Sequence, residues 1–239
     1  MIGPMLDQAA ALVAQIDPEE PLIRWIWISD NMDEIVSRGL QHLYLTLVAV
    51  AVGFVIAFPM AILASRYRWV VRPATWISGV LYTIPAIAFI FLLLPLTGLS
   101  LTTVAVPLIA YSLLILFRNT LAGLDAVDGD VKEAAVGMGF SSRQLLWRVE
   151  IPLALPVIIA GLRIATVSAI GLVTVAALLG RGGFGQFILE GVDRFFPTPL
   201  VVGVVLSVAL AIVADLLLLG LQRLITPWAK MAGTRTVAT

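Results

Sequence analysis

Five long apolar runs, at roughly 40–64, 75–96, 102–122, 153–179 and 200–224, limit what this chain can fold into. Each reaches the about 20 residues that a helix needs to cross the hydrocarbon core of a bilayer. Lipid offers no water to backbone N–H and C=O groups, so a crossing run of this kind closes its hydrogen bonds along itself, as a helix. Composition agrees, with 60% of the 239 residues hydrophobic and 13% charged, against about 45–50% and 25% in soluble domains. The expected fold is therefore all-α: a polytopic membrane protein with about five transmembrane helices, or about six if the stretch before residue 39 supplies a partial one. The domain plan is an extracytoplasmic or interfacial segment at 1–38, a transmembrane domain at 39–226 that holds a polar loop at 123–152, and a cytoplasmic tail at 227–239.

The loops carry the orientation. Arg66, Arg68 and Arg72, then Arg118, Lys132, Arg143 and Arg148, then Arg223, Lys230 and Arg235 fall on one side of this topology, ten of the 15 basic residues, while Arg24, Arg38, Arg181 and Arg194 fall on the other. Basic residues collect in cytoplasmic loops, so the amino terminus is expected outside, with the carboxyl terminus and the 123–152 loop inside. Residues 1–16 place Ile2, Met5, Ala9, Leu12, Val13 and Ile16 on one face ahead of Asp17-Pro18, the pattern of a short helix on the membrane surface. They lack the basic start and small-residue cleavage pattern of a secretory signal peptide, so the terminus is expected to be retained. Leu22–Ile28 is too short to span, and Trp25 and Trp27 suit the headgroup zone.

Several functions are excluded at once. Net charge is zero, and nothing points to a nucleic-acid partner. Cysteine is absent and His42 is the one histidine, which leaves no disulfide framework and no expected metal site or cofactor. Lys132 and Lys230 are the only lysines and no G-x-x-x-x-G-K-[ST] occurs, so the chain is not expected to hydrolyse ATP by itself or to carry catalytic residues. The run GRGGFG at 180–185 fits G-x-G-x-x-G, but a dinucleotide site needs a strand before it and a helix after it in a βαβ unit. Here it follows an apolar span, and it reads as a tight re-entry of the chain over 180–199 on the outer side.

Within the spans, small residues recur every four positions at Gly53, Ala57 and Ala61, and again at Gly161, Ala165 and Ala169. Such rows let helices approach closely in lipid; packing within the bundle is the plainer reading, a subunit interface or moving pore wall the sharper one. Pro85, Pro95 and Pro107 remove backbone donors and are placed to kink spans two and three, whereas Pro152 and Pro156 lie at the entrance to span four. Arg163 and Asp215 fall inside spans four and five, at roughly 10–15 Å from the inner side at 1.5 Å per residue. Intramembrane charges face protein or a wet cavity, so the two are expected to pair or to line one inner vestibule; the alternative is that Arg163 snorkels to the headgroups.

The polar interruption at 130–156, DVKEAAVGMGFSSRQLLWRVEIPLALP, reads as two short helices joined by a bend. Asp130 with Glu133, and Ser141 with Gln144, have capping-box spacing, and Gly137-Met138-Gly139 between them is poor helix. The expected helices run roughly 131–138 and 142–150. Taken alone, this is also the pattern of an ordinary loop with two helical turns. Yet Glu133-Ala134-Ala135, three residues, Gly139, nine residues and Val149-Glu150-Ile151-Pro152 together resemble the EAA loop of ATP-binding-cassette importer permeases, with Val149 in place of Ile and Ile151 in place of Leu. The resemblance implies a cytoplasmic coupling helix that docks in a groove of a separate ATPase. Its residues would be Asp130, Glu133, Ala134, Ala135, Gly137, Gly139, Val149, Ile151 and Pro152: Ala134 and Ala135 small enough for close approach, Glu133 offering a charge, Gly139 allowing the turn.

Beyond that core, Arg118-Asn119-Thr120, Gly123-Leu124, Val127-Asp128, Leu153-Ala154-Leu155-Pro156, Ala160-Gly161-Leu162-Arg163, Ile170-Gly171 and Gly182-Gly183-Phe184-Gly185 are similar to the osmoprotectant branch of these permeases over roughly 80–195. Gly129 departs from the proline many members carry after Val-Asp. The resemblance implies import of glycine betaine, choline, carnitine or proline across a bacterial cytoplasmic membrane. The implied partners are membrane lipid, a second permease copy or paralogue, a cassette ATPase and an extracytoplasmic substrate-binding protein. A quaternary ammonium would be met by aromatic faces, for which Tyr82, Phe89, Phe91 and Tyr111 lie at suitable depth; Tyr82 and Tyr111 join Arg163 and Asp215 as path residues. A permease for another polar solute or amino acid stands next, then a stand-alone secondary transporter, and last an anchor without transport.

Overall fold

A computed structural model describes residues 21–228. The expected surface helix at 1–16 and the tail from 229 onward lie outside the described residues. The helices are α1 (Trp25–Asp30), α2 (Met32–Arg66), α3 (Val71–Thr83), α4 (Ala86–Thr97), α5 (Leu101–Asp125), α6 (Gly129–Gly137), α7 (Ser142–Leu145), α8 (Ile151–Val175), α9 (Gly185–Asp193) and α10 (Pro197–Ile225). Among the described residues, four stretches are long and apolar enough to cross a membrane without a break: α2, α5, the continuous Ser142–Leu179 that contains α7 and α8, and α10. A fifth is supplied by Arg68–Thr83 and Ala86–Thr97 together, bent by 92°.

That bend falls at Pro85. Proline has no N–H to donate and drives the residue before it out of the helical region; Ile84 accordingly has ψ 123°. The Ile84 carbonyl, turned out of the helix, accepts a hydrogen bond from the Tyr111 hydroxyl on α5. Pro95 and Pro107 are carried inside α4 and α5 without ending them. The helix that holds the first apolar run starts at Met32, because the amphipathic residues 32–39 continue it.

Helix α5 is the centre of the bundle, with 56% of its most apolar window buried, and α2 and α8 pack along it. The small rows explain how. Leu45, Ala49, Ala57 and Ala61 on α2 have no exposed surface, and a Cβ on Gly53 would meet the Ser112 Cβ at 3.1 Å. On α8, a Cβ on Gly161 would come within 2.4 Å of the Asn119 Cβ. Both rows therefore face α5, as packing surfaces within the subunit. By contrast α10, equal to α2 in hydropathy, buries 11% of its window.

The re-entry expected at 180–199 is present. Gly180 (φ 70°) and Gly183 (φ 53°) reverse the chain after Ala176–Leu179, and α9 leads back to Pro197. His42 of α2 holds this turn: its Nδ1 accepts from the Phe184 N–H at 3.3 Å, so Nε2 carries the hydrogen and donates to the Ile170 carbonyl at 3.0 Å. Trp25 is exposed, whereas Trp27 packs edge-on to Phe187 and Phe196.

Candidate functional site

The loop between α5 and α8 is built as two capped turns. Val127, buried with Leu124, Ala154 and Ile158, anchors the chain as it leaves α5. Asp128 then turns extended, and its carboxylate accepts from the Asp130 N–H at 2.9 Å. Asp128, and not Asp130, is thus the N-cap; α6 starts earlier than expected because the buried Val127 fixes where the helix can open. Asp130 sits in the first turn, where its charge faces the positive end of the helix dipole. At the other end the Gly139 N–H donates to the Val136 carbonyl at 2.9 Å and the Phe140 N–H to the Ala135 carbonyl at 3.1 Å. This is a Schellman closure, with Gly139 at φ 86°, a left-handed conformation that glycine adopts without a Cβ penalty. The Ser141 capping box forms as expected: the Gln144 N–H donates to Ser141 Oγ at 3.4 Å, and the Ser141 N–H to Gln144 Oε1 at 2.9 Å.

The second helix does not end at 150. Leu146–Glu150 widens into a π turn and runs straight into α8. Pro152 lacks a donor and its ring crowds the preceding turn, and a widened turn relieves both demands. Pro152 and Pro156 therefore lie inside one long helix and not at its entrance.

Glu133, Ala134, Gly137 and Gly139 are exposed, while Val149, Ile151 and Pro152 are partly buried. Ala135 is 2% exposed and packs inward, so of the two alanines only Ala134 is open to close approach. Sequence reasoning passed over the apolar residues that the loop leaves uncovered: Val131, Val136, Met138 and Trp147, with Met138 at 71% exposure. Their signal was apolar side chains standing beside charged and polar ones in the loop. It also missed the loop's foot. Glu150 is buried and accepts from Arg66 Nη2 at 2.5 Å, Asp125 accepts from Arg68 Nη1 at 2.9 Å, and Lys132 Nζ donates to the Leu124 carbonyl at 3.4 Å. Arg66 and Glu150 are 84 positions apart, and no local pattern announces their pairing.

Between α8 and α10 the structure joins Arg163 to Asp215 through two parallel bonds, Nε to Oδ1 and Nη2 to Oδ2, each 2.7 Å. The guanidinium is held by the carboxylate and does not snorkel. Tyr82 and Tyr111 also meet, edge to face, with ring centroids 5.3 Å apart, Tyr82 half-exposed and Tyr111 buried. The two pairs are separate: the groove beside Arg163 and Asp215 includes neither tyrosine. Phe89 is buried against Tyr111, and Phe91 is exposed.

Comparison with known proteins agrees with this architecture. Residues 43–229 match the family described as binding-protein-dependent transport system inner membrane component. The osmoprotectant import permease protein OsmW of Salmonella typhimurium is 37% identical over 206 residues, covering 84% of this chain and 96% of that protein. The glycine betaine/carnitine/choline transport system permease protein OpuCB of Bacillus subtilis is 32% identical over 201 residues, 84% of this chain and 93% of that one. In fold, the chain is similar to one from the inward facing MetNI methionine ABC transporter, with a TM-score of 0.71 at 24% identity over 82% of this chain and 98% of that chain.

Proposed function

The chain belongs to the family of binding-protein-dependent transport system inner membrane components, and on that premise we propose that it is the pore-forming subunit of an ATP-driven importer of osmoprotectants such as glycine betaine, choline, carnitine or proline. Residues 128–152 couple it to a separate cassette ATPase. The single observation that carries the coupling role is the exposed helix α6, capped by Asp128, closed by Gly139 and followed at once by the Ser141 capping box. Its caps fix both ends of the helix, and it offers Glu133, Val136 and Met138 to a partner.

In this reading the 128–152 loop is cytoplasmic and the amino terminus lies outside, in line with the excess of Lys and Arg on the loop side. A second permease, identical or paralogous, completes the pore, and an extracytoplasmic binding protein delivers solute to the end where α9 re-enters. ATP-driven movement of the loop tilts the spans between inward-open and outward-open arrangements. Tyr82 and Tyr111, Arg163 and Asp215 line the path. The solute class is supported by the names of the relatives.

The test is purification of the full chain from native membranes in mild detergent, with mass spectrometry of what stays bound. The expected result is retention of a Walker-motif ATPase, with uptake in liposomes that requires ATP. A chain recovered reproducibly alone, which transports down an ion gradient without ATP, overturns the reading in favour of a secondary transporter.

A further inference from the structure

The Arg163–Asp215 pair is partly open, with side-chain exposures of 27% and 32%. At 1.5 Å per residue Arg163 lies about 18 Å along α8 from Ile151, and Asp215 about 15 Å along α10 from Ile225, so the pair stands well within the length of both spans. Charges at that depth are not left against acyl chains. The open side therefore faces water or protein, and it opens on a groove of about 640 Å³, within the range of small-molecule sites. Ala160, Val167 and Ala211 together with the larger Ile164, Ile212 and Leu216 make the walls apolar, Ser168 adds a hydroxyl, and Arg163 and Asp215 supply the charges among the lining residues.

We infer that this groove binds a zwitterion bearing a carboxylate and a quaternary ammonium, and that the Arg163–Asp215 pair opens to receive it. The assignment rests on the osmoprotectant reading and names the site for it. The Arg163 guanidinium takes the solute carboxylate through its planar fork, the Asp215 carboxylate takes the ammonium, and the apolar walls take the methyl groups. Charge balance favours this exchange. When the site is empty each charge compensates the other; when it is filled each has a partner of opposite sign on the solute, so neither state leaves an unpaired charge in the membrane. A cation without a carboxylate engages Asp215 alone and must draw it away from Arg163.

The experiment measures ATP-driven uptake of glycine betaine, a zwitterion, and choline, a cation without carboxylate. It uses cells that lack other importers for them and express the complete importer, with uptake normalised to the permease found in the membrane. Arg163→Gln is expected to lower glycine betaine uptake at least tenfold while choline KM stays level or falls. Asp215→Asn is expected to lower both at least tenfold. The double variant Arg163→Gln with Asp215→Asn is expected to insert at the wild-type level, since a paired neutral replacement strands no charge, and to lose both activities. Wild-type glycine betaine uptake by the double variant overturns the inference, because it leaves the pair a purely structural role. An equal loss of both solutes in Arg163→Gln overturns the zwitterion assignment. Failure of the wild-type importer to take up either solute strikes the osmoprotectant reading itself and takes this site with it, a result distinct from losses confined to the variants.

Discussion

At Gly139 an added Cβ would meet no atom within 4 Å, whereas at Gly182 it would lie 2.2 Å from the Ala177 nitrogen. The two glycines mark bends at opposite ends of the same long helix. In the loop bend, glycine serves conformation alone, through the positive φ that closes α6. In the turn at 180–185 it serves space as well: Gly183 would drive a Cβ to 2.6 Å from that of His42, and Gly185 to 2.4 Å from the Thr174 carbonyl oxygen. The difference teaches how each end is used. The 180–185 turn is packed shut against the spans, while the loop bend keeps its surface free.

Breaking the packed end should cost most. Gly182→Ala forces backbone against backbone with no flexible side chain to give way, and we expect about 3 kcal/mol or more of destabilisation, seen as loss of the monodisperse peak in detergent chromatography. Gly139→Val should cost about 1–2 kcal/mol or somewhat more for its branched side chain in a left-handed conformation, leave insertion intact, and reduce ATP hydrolysis coupled to transport because the bend itself is misdirected. Gly137→Ala sharpens the contrast within one loop. This position is exposed, lacks a positive φ and meets nothing within 4 Å, so alanine should stabilise the helix by about 0.5–1 kcal/mol in thermal melting. Glu133→Ala should move stability least, within about 0.5 kcal/mol, yet lower coupled ATP hydrolysis in the assembled importer. A Glu133→Ala importer with full coupled activity removes this residue from the proposed interface.

The parts legible in the sequence were those that depend on near neighbours or on composition. Apolar runs marked the spans, Pro85 marked a disruption in the second, and Ser141 with Gln144 marked a cap that forms as read. Gly139 was legible as a turn because a helix end of that kind needs a left-handed residue. What escaped depends on distant partners. Asp128 took the cap expected at Asp130 because Val127 is tied to Ala154 and Ile158 on α8. Ala135 faced inward, and Arg66 found Glu150 across 84 positions of sequence. The severity of the break at Pro85 was hidden too, because the hydroxyl that satisfies Ile84 comes from Tyr111 on another helix. Arg163 and Asp215 were an intermediate case: depth alone proposed them as partners, and only the fold shows the two-pronged contact.

The uninterrupted helix from Ser142 to Leu179 has 38 residues, which makes it about 57 Å long at 1.5 Å per residue, nearly twice the about 30 Å of a hydrocarbon core. A rod of that length converts angle into distance. Pivoting it by about 10° about one end sweeps the other through about 10 Å, by the same rise per residue. The displacement along it grows in proportion to distance from the fulcrum, so Arg163, about midway, travels about half as far as the tip. This arm has two irregular sections, the widened turn at Leu146–Glu150 just beyond the loop and the 3₁₀ turn at Ala176–Leu179, and a pivot at the first puts almost the whole length of the rod on one side of the fulcrum.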